Sequence, residues 1–461
     1  MRVLQVVHAF PPRSTAGVEV YTARISRALA RRGHDVRVLS AVHDLAATTG
    51  AVRERLYGEL RVVEVVNVRE RSGLASTYAD PEVTRGALAA LAAFAPEVVH
   101  VQHLLDLSVE LVREARRAGA PVLLTLHDYW LSCPRDGLRR RADGVVCESV
   151  DHAVCATCLR DSPYLAPALQ RGALGLARKA GLGRLVHRIH DRAPGLAAGA
   201  LRAVRALSPD GHAERRSSLD RRAAVLGAVA REIDIALAPT DFAGARAIEF
   251  GVPRDRVRRV RFGVDLPRAS REGPRRRFGY VGGLAEHKGV HVLVEAFRLL
   301  ARPGLTLEVY GDPAVHPEYA AELGRRAAGD ARIRFPGPFP EGGQETVMRR
   351  LDVVVVPSLW WENSPLTLLE ARASGAWVVA SRTGGLPEIL PEGAGRLVPP
   401  GDVGALRTTL EEAASASGPV SPGPAPRTLA EEAEEIEGLY LELVGRSVSA
   451  GSPPAWSESR T

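Results

Sequence analysis

The stretch "VVVVPSLWWENSPLTLLEARASGAWVVAS", Val353 to Ser381, reads as strand, loop, helix and strand in succession. Four consecutive valines ended by Pro357 have the β-branched, unalternated pattern of a strand buried on both faces. Ser364-Pro365 is a helix-start signal, with serine as the expected N-cap and proline at the first helical position. "LTLLEARAS" then runs to Gly375, and "WVVAS" is a second buried strand. This is a βαβ unit with Glu362 in the loop before the helix and Glu370 inside it. In such units ligands sit at the carboxyl ends of the strands, against helix N-termini.

The same alternation recurs outward in both directions. "RVLQVV", a loop, the amphipathic "VEVYTARISRALARR", Gly33 and "DVRVLS" begin the chain as another βαβ unit. "EVVHVQ", "PVLLTLH" and "DIALAPT" are further strands of the first half. "FGYVGGL", "LTLEVYGD" and "IRFPG" precede Val353 in the second half. Alternating strands and helices predict an α/β chain with doubly wound parallel sheets. Two Rossmann-like domains facing a cleft are expected. The first spans 1–265, with a Cys-rich insertion at about 131–160. The second spans 266–413. A flexible Pro/Ser/Gly segment at 414–427, a helix at 428–446 and a disordered tail at 447–461 complete the expected organisation.

With 461 residues, 45% hydrophobic and 25% charged, the chain is long enough for two sizeable cores. No apolar run reaches the ~18 residues of a membrane span, and the N-terminus reads as a strand rather than a leader. The cytoplasm is the expected location, with the inner face of the membrane as its variant. Net charge is +7, yet only two of 61 basic residues are lysine, Lys179 and Lys288. Aromatics are 5%, so basic tracts interleaved with aromatics are missing and no nucleic-acid partner is expected. Residues 171–192 place Arg184, Arg188 and Arg192 at helical spacing, a pattern that docks on anionic lipid or simply forms a solvated helix face.

Several motifs carry chemistry. "YVGGLAEHKG" is a Gly-rich strand-to-helix turn holding Gly283 and Lys288, where amides and a compact ammonium can meet a phosphate. "STAGVE" places Gly17 before the first helix. "TGGLPEIL" places Gly384 and Gly385 after the last quoted strand. His127 ends "LLTLH", and His103 ends "HVQH". Carboxylates accept hydrogen bonds from sugar hydroxyls, while a diphosphate needs amides and cations.

On Glu362-x7-Glu370, the Lys288 turn and these Gly loops, the chain resembles the family 4 retaining glycosyltransferases of the two-Rossmann GT-B type over roughly residues 1–445. The resemblance implies transfer of a sugar from a nucleotide-diphosphate sugar to an acceptor hydroxyl, as in cell-envelope glycan or natural-product glycoside synthesis. It assigns Glu370 to the donor ribose, Glu362 to the donor hexose, Lys288 to the diphosphate and His127 to the reacting centre. Gly17, Gly283, Asn363, Ser364, Gly384 and Gly385 would line the donor site. Two departures stand out: Gly283 where relatives carry arginine, and Phe262 where asparagine is frequent. The first passes part of the phosphate role to Lys288 or Arg261. No Asp-x-Asp pair occurs, so no catalytic metal is expected. A nucleotide-sugar epimerase or hydrolase of the same fold, and a non-catalytic sugar-binding protein, are the rival readings. A dinucleotide oxidoreductase would want G-x-G-x-x-G after the first strand, which is absent.

All four cysteines, Cys133, Cys147, Cys155 and Cys158, fall in one short stretch as C-x13-C-x7-C-x2-C. A structural zinc site is the expectation, with disulfides and unlinked thiols as the competing readings.

Overall fold

A computed structural model describes residues 1–44, 46–68, 73–160, 211–416, 418, 423–449 and 456. The expected basic helix at 171–192 lies outside these residues, as do part of the 414–427 segment and most of the tail. Trp456 is described, and its indole N–H donates to the Pro96 carbonyl at 3.2 Å.

The chain forms two α/β units, each built on a mostly parallel sheet. In the first, β1 (Arg2–Val7), β2 (Asp35–Val42), β3 (Val52–Tyr57) and β4 (Leu60–Val66) make one half. The other half is β5 (Val98–Val101), β6 (Val122–Thr125), β7 (Ile235–Ala238) and β8 (Val257–Arg259). The order is β3-β4-β2-β1-β5-β6-β7-β8, with only the β3–β4 hairpin antiparallel. The second sheet contains β9 (Arg277–Val281), β10 (Thr306–Tyr310), β11 (Ile333–Gly337), β12 (Val353–Val356), β13 (Trp377–Ser381) and β14 (Gly395–Val398). Its order is β11-β10-β9-β12-β13-β14, parallel throughout.

The apolar runs bury as their composition demands. Val353, Val354 and Val355 are at most 1% exposed, and β12 pairs with β13 in the register Val353 to Trp377 through Val356 to Ala380. Both sheets reverse direction of winding beside their first strand, between β1 and β5 and between β9 and β12. At such a switch point the loops leaving two neighbouring strands part to opposite faces and open a crevice.

Residues 260–276 carry the chain from the first sheet to the second. The helix Leu429–Ser449 carries it back, packing on the helix Gly17–Arg31. Tyr440 of that returning helix is fully buried and reaches the first sheet. Gln5 Nε2 donates to its hydroxyl at 3.3 Å, and its hydroxyl lies 2.6 Å from His100 Nδ1.

Candidate donor and acceptor site

Every strand-end motif singled out in the sequence lies at the carboxyl end of its sheet. Lys288 follows β9 and Glu362 follows β12, one on each side of the second sheet's switch point. Glu362 is 4% exposed, and one of its oxygens, Oε1, accepts three hydrogen bonds. The donors are Lys288 Nζ at 2.8 Å, Ser358 Oγ at 2.7 Å and Trp360 Nε1 at 2.8 Å. Lys288 Nζ also sits 4.8 Å from the centre of the Trp360 ring, on its cation-attracting face. The ammonium is held in place, with two of its three protons left for another acceptor.

Glu370 is equally buried, and its carboxylate accepts from Arg24 Nη1 at 2.6 Å. Arg24 belongs to the helix Gly17–Arg31, so this ion pair bridges the two units. The sequence reading missed Arg24, because nothing local marks which of many arginines faces a partner hundreds of residues away.

Asn363 and Ser364 are placed differently from expectation. Asn363 Oδ1 accepts from the Tyr129 hydroxyl and its Nδ2 donates to the Leu126 carbonyl, so both polar ends fasten the first unit. Trp361 adds to that joint, edge-on to Tyr129 and Phe242 with the Arg139 guanidinium over its ring. Ser364 is not the N-cap: the helix spans Leu366–Ala373, Pro365 in extended conformation caps it, and no side chain bonds the free amides.

Gly384 and Gly385 support the Glu362 loop from beneath. Gly385 N donates to the Glu362 carbonyl at 2.6 Å. A Cβ on Gly384 would lie 2.1 Å from that same carbonyl oxygen, and one on Gly385 2.4 Å from the Asn363 carbonyl. These glycines let protein backbone, rather than a ligand, approach closely. By contrast, a Cβ on Gly17 or Gly283 would meet open space. Arg261 and Ser364 line a cavity where the chain crosses between units, and Lys288 does not.

On the first sheet, His127 lies beyond β6. Its Nε2 is 2.7 Å from Gln102 Oε1, and Gln102 Nε2 donates to Gln5 Oε1 at 2.9 Å. Since Gln102 offers an oxygen, His127 Nε2 carries the proton and Nδ1 is left as an acceptor. Burial pushes the pKa of His127 down to about 3, and that of His100 likewise. His127 is therefore a fixed neutral acceptor near neutral pH. Below about pH 6.5 the unfolded chain binds a proton that folded His127 refuses, so this residue costs stability as pH falls towards 3. Wild type should lose about 2 kcal/mol more than His127→Gln between pH 7 and pH 5. Chemical denaturation of both at the two pH values measures this, and parallel losses would refute it.

Sequence reading also missed His8 and Glu19, although His8 stands at the end of β1 as His127 stands beyond β6. His8 Nε2 is 3.3 Å from Glu19 Oε1, which also accepts from Ser14 Oγ at 2.8 Å. Burial opposes charge on both. Their mutual pairing overrides it, raising His8 and lowering Glu19. His8 Nδ1 and Glu19 Oε2 are buried with no partner, so the pair offers a free donor and a free acceptor beside His103. His103 itself is 3.1 Å from Asp128 Oδ2.

The four cysteines form no disulfide. Cys133, Cys147, Cys155 and Cys158 are free thiols, and among the described residues no group of three or more Cys, His, Asp or Glu is placed to hold a metal. Burial raises the pKa of Cys133 and Cys147 and pushes Cys155 to about 12, which keeps them protonated. The Cys133 thiol faces the Arg135 carbonyl at 3.7 Å. No helix among the described residues is long and apolar enough to cross a membrane.

Known proteins resemble this chain in sequence and in fold. Residues 16–160 match a family described as glycosyl transferase 4-like domain, and residues 275–415 match glycosyl transferases group 1. D-inositol 3-phosphate glycosyltransferase of Kribbella flavida is 33% identical over 183 residues, 37% of this chain and 42% of that protein. A putative colanic acid biosynthesis glycosyltransferase of Salmonella typhimurium is 29% identical over 40% of this chain and 48% of its own length. The matches thus span less than half of these relatives. Among solved structures, HepE of Anabaena in complex with UDP-glucose has a TM-score of 0.55 at 15% identity, covering 98% of this chain and 99% of that one. Sucrose-phosphate synthase from Thermosynechococcus elongatus has a TM-score of 0.57 at 17% identity, covering 98% of each. Both are likenesses of fold.

Proposed function

The chain belongs to the family 4 glycosyltransferases of GT-B fold, and from that premise we propose that it moves a sugar from a nucleotide-diphosphate sugar to an acceptor hydroxyl with retention of configuration. The observation that carries the reading is the Lys288–Glu362 pair, an ammonium immobilised at the switch point of the second sheet. Its two spare protons suit the diphosphate of a donor, the group on which negative charge grows as the sugar departs. Glu370, one and a half turns into its loop-helix unit, suits the ribose hydroxyls and would share its carboxylate with Arg24. Glu362 keeps Oε2 for the hexose.

The acceptor hydroxyl enters from the first sheet in this reading. His127 Nδ1, and the free atoms of His8 and Glu19, are the groups able to orient it. No side chain need act as nucleophile: the departing phosphate takes the acceptor's proton while oxygen attacks from the same face. Rate then comes from positioning and from charge stabilisation by Lys288. Because that positive charge is supplied by the protein, the reaction proceeds without a divalent cation. A glycan or natural-product glycoside is the proposed product class.

The test is a panel of nucleotide-diphosphate sugars, scored for nucleotide release with acceptor mixtures and without, in chelator and with added magnesium. Acceptor-dependent release that survives chelation is expected, with Glu370→Ala raising the donor KM about tenfold. Equal release without acceptor would favour the hydrolase reading. Activity restored only by magnesium would overturn the metal-free mechanism.

A further inference from the structure

We propose that the cavity between the two chain crossings is a second binding site, one for a phosphate-bearing small molecule, separate from the Lys288–Glu362 site. The cavity measures about 460 Å³, within the usual range for small-molecule sites. Among the described residues, four of those lining it are arginines: Arg261 and Arg268 from the outgoing crossing, Arg372 from the helix Leu366–Ala373, and Arg427 from the return. Lys288, Glu362 and Glu370 do not line it, but Ser364 and Leu369, their neighbours in sequence, do, so it lies behind the donor-side helix start. Arg372 is two residues from Glu370, about 200° around the helix, so it faces away from Arg24.

The two carboxylates in the lining are already committed. Glu388 accepts from the Asp241 and Phe242 amides at 2.7 and 2.8 Å and pairs with Arg259. Glu431 accepts from the Thr428 amide at 2.7 Å and its hydroxyl at 2.8 Å, closing the turn that starts the last helix. Arg427 is held by Glu435 and by the Arg261 and Glu431 carbonyls. Arg372 is 9% exposed; its two terminal nitrogens serve the Ile389 and Pro424 carbonyls, and its Nε is buried without a partner. Arg261 and Arg268 are exposed and make no side-chain hydrogen bond or ion pair among the described residues. Two unpaired guanidiniums, with a third in the same wall whose Nε has no partner, match an anion of two or more charges. Since its walls come from both crossings, an occupant would bias how the two units sit against each other.

Inorganic pyrophosphate is the probe, titrated calorimetrically into full-length Lys288→Ala so that the donor-side cation is removed. Binding to one site per chain is expected, and it should weaken about tenfold or more when Arg261→Gln and Arg268→Gln are added. Both arginines are exposed, so an unchanged thermal midpoint without anion confirms folding. Equal binding with and without the two substitutions overturns the proposal, as does no binding in Lys288→Ala. Neither result depends on sugar transfer, so failure here is distinguishable from failure of the donor reading.

Discussion

Replacing Lys288 with alanine should cut the rate of sugar transfer by about a hundredfold or more while the chain stays folded. The expectation follows from the three donors on Glu362 Oε1: Ser358 and Trp360 remain after the substitution, so the carboxylate keeps its orientation. What disappears is the only charge among the three. The effect should fall on kcat more than on KM, because charge on the leaving phosphate grows in the transition state. Lys288→Arg should recover part of the rate, since the cation returns on a bulkier, planar head. A transfer rate in Lys288→Ala within about threefold of wild type would remove Lys288 from the mechanism.

Gly384→Ala should be damaging out of proportion to its single methyl. Its φ of 57° is the left-handed region, costing an alanine roughly 1–2 kcal/mol. The added methyl would also press on the Glu362 carbonyl at 2.1 Å, and relieving such overpacking costs about 1–3 kcal/mol more. Together the unfolding free energy should drop by about 3 kcal/mol, and Glu362 should move, taking activity with it. Gly283→Ala, facing open space at negative φ, should change stability by less than about 1 kcal/mol. Denaturant titration of both variants is the check, and equal losses would falsify the account of why these glycines differ.

The contrast between the two glycines also marks how far a sequence can be read. Val353–Val356, Leu366–Ala373 and Trp377–Ser381 form as the valines, the leucine spacing and Gly375 predict, because those signals are local. The Ser364 cap failed since Pro365 takes an extended conformation and delays the helix until Leu366. The β3–β4 hairpin was not anticipated; its turn residue Gly58 is one glycine among 44. In the site, two buried acids were legible from Glu362-x7-Glu370, but their partners were not. Lys288 stands 74 positions from Glu362, and Arg24 346 positions from Glu370. Asn363 looked like a ligand-facing amide and proved to be a fastener, because only the fold brings Tyr129 and Leu126 to it.

The returning helix sets an order of manufacture. Tyr440 lies 435 positions after Gln5, to whose side chain it is bonded, and it ends the row of amides that orients His127. At roughly 5–20 residues per second on the ribosome, Gln5 is made roughly 20–90 seconds before its partner exists. Over that interval the apolar face of the helix Gly17–Arg31, with Tyr21, Ile25 and Leu29, lacks the Ile436 and Tyr440 side chains that share its core. The first unit is thus synthesised first and finished last, and a nascent chain halted before residue 429 leaves that face for a chaperone to cover.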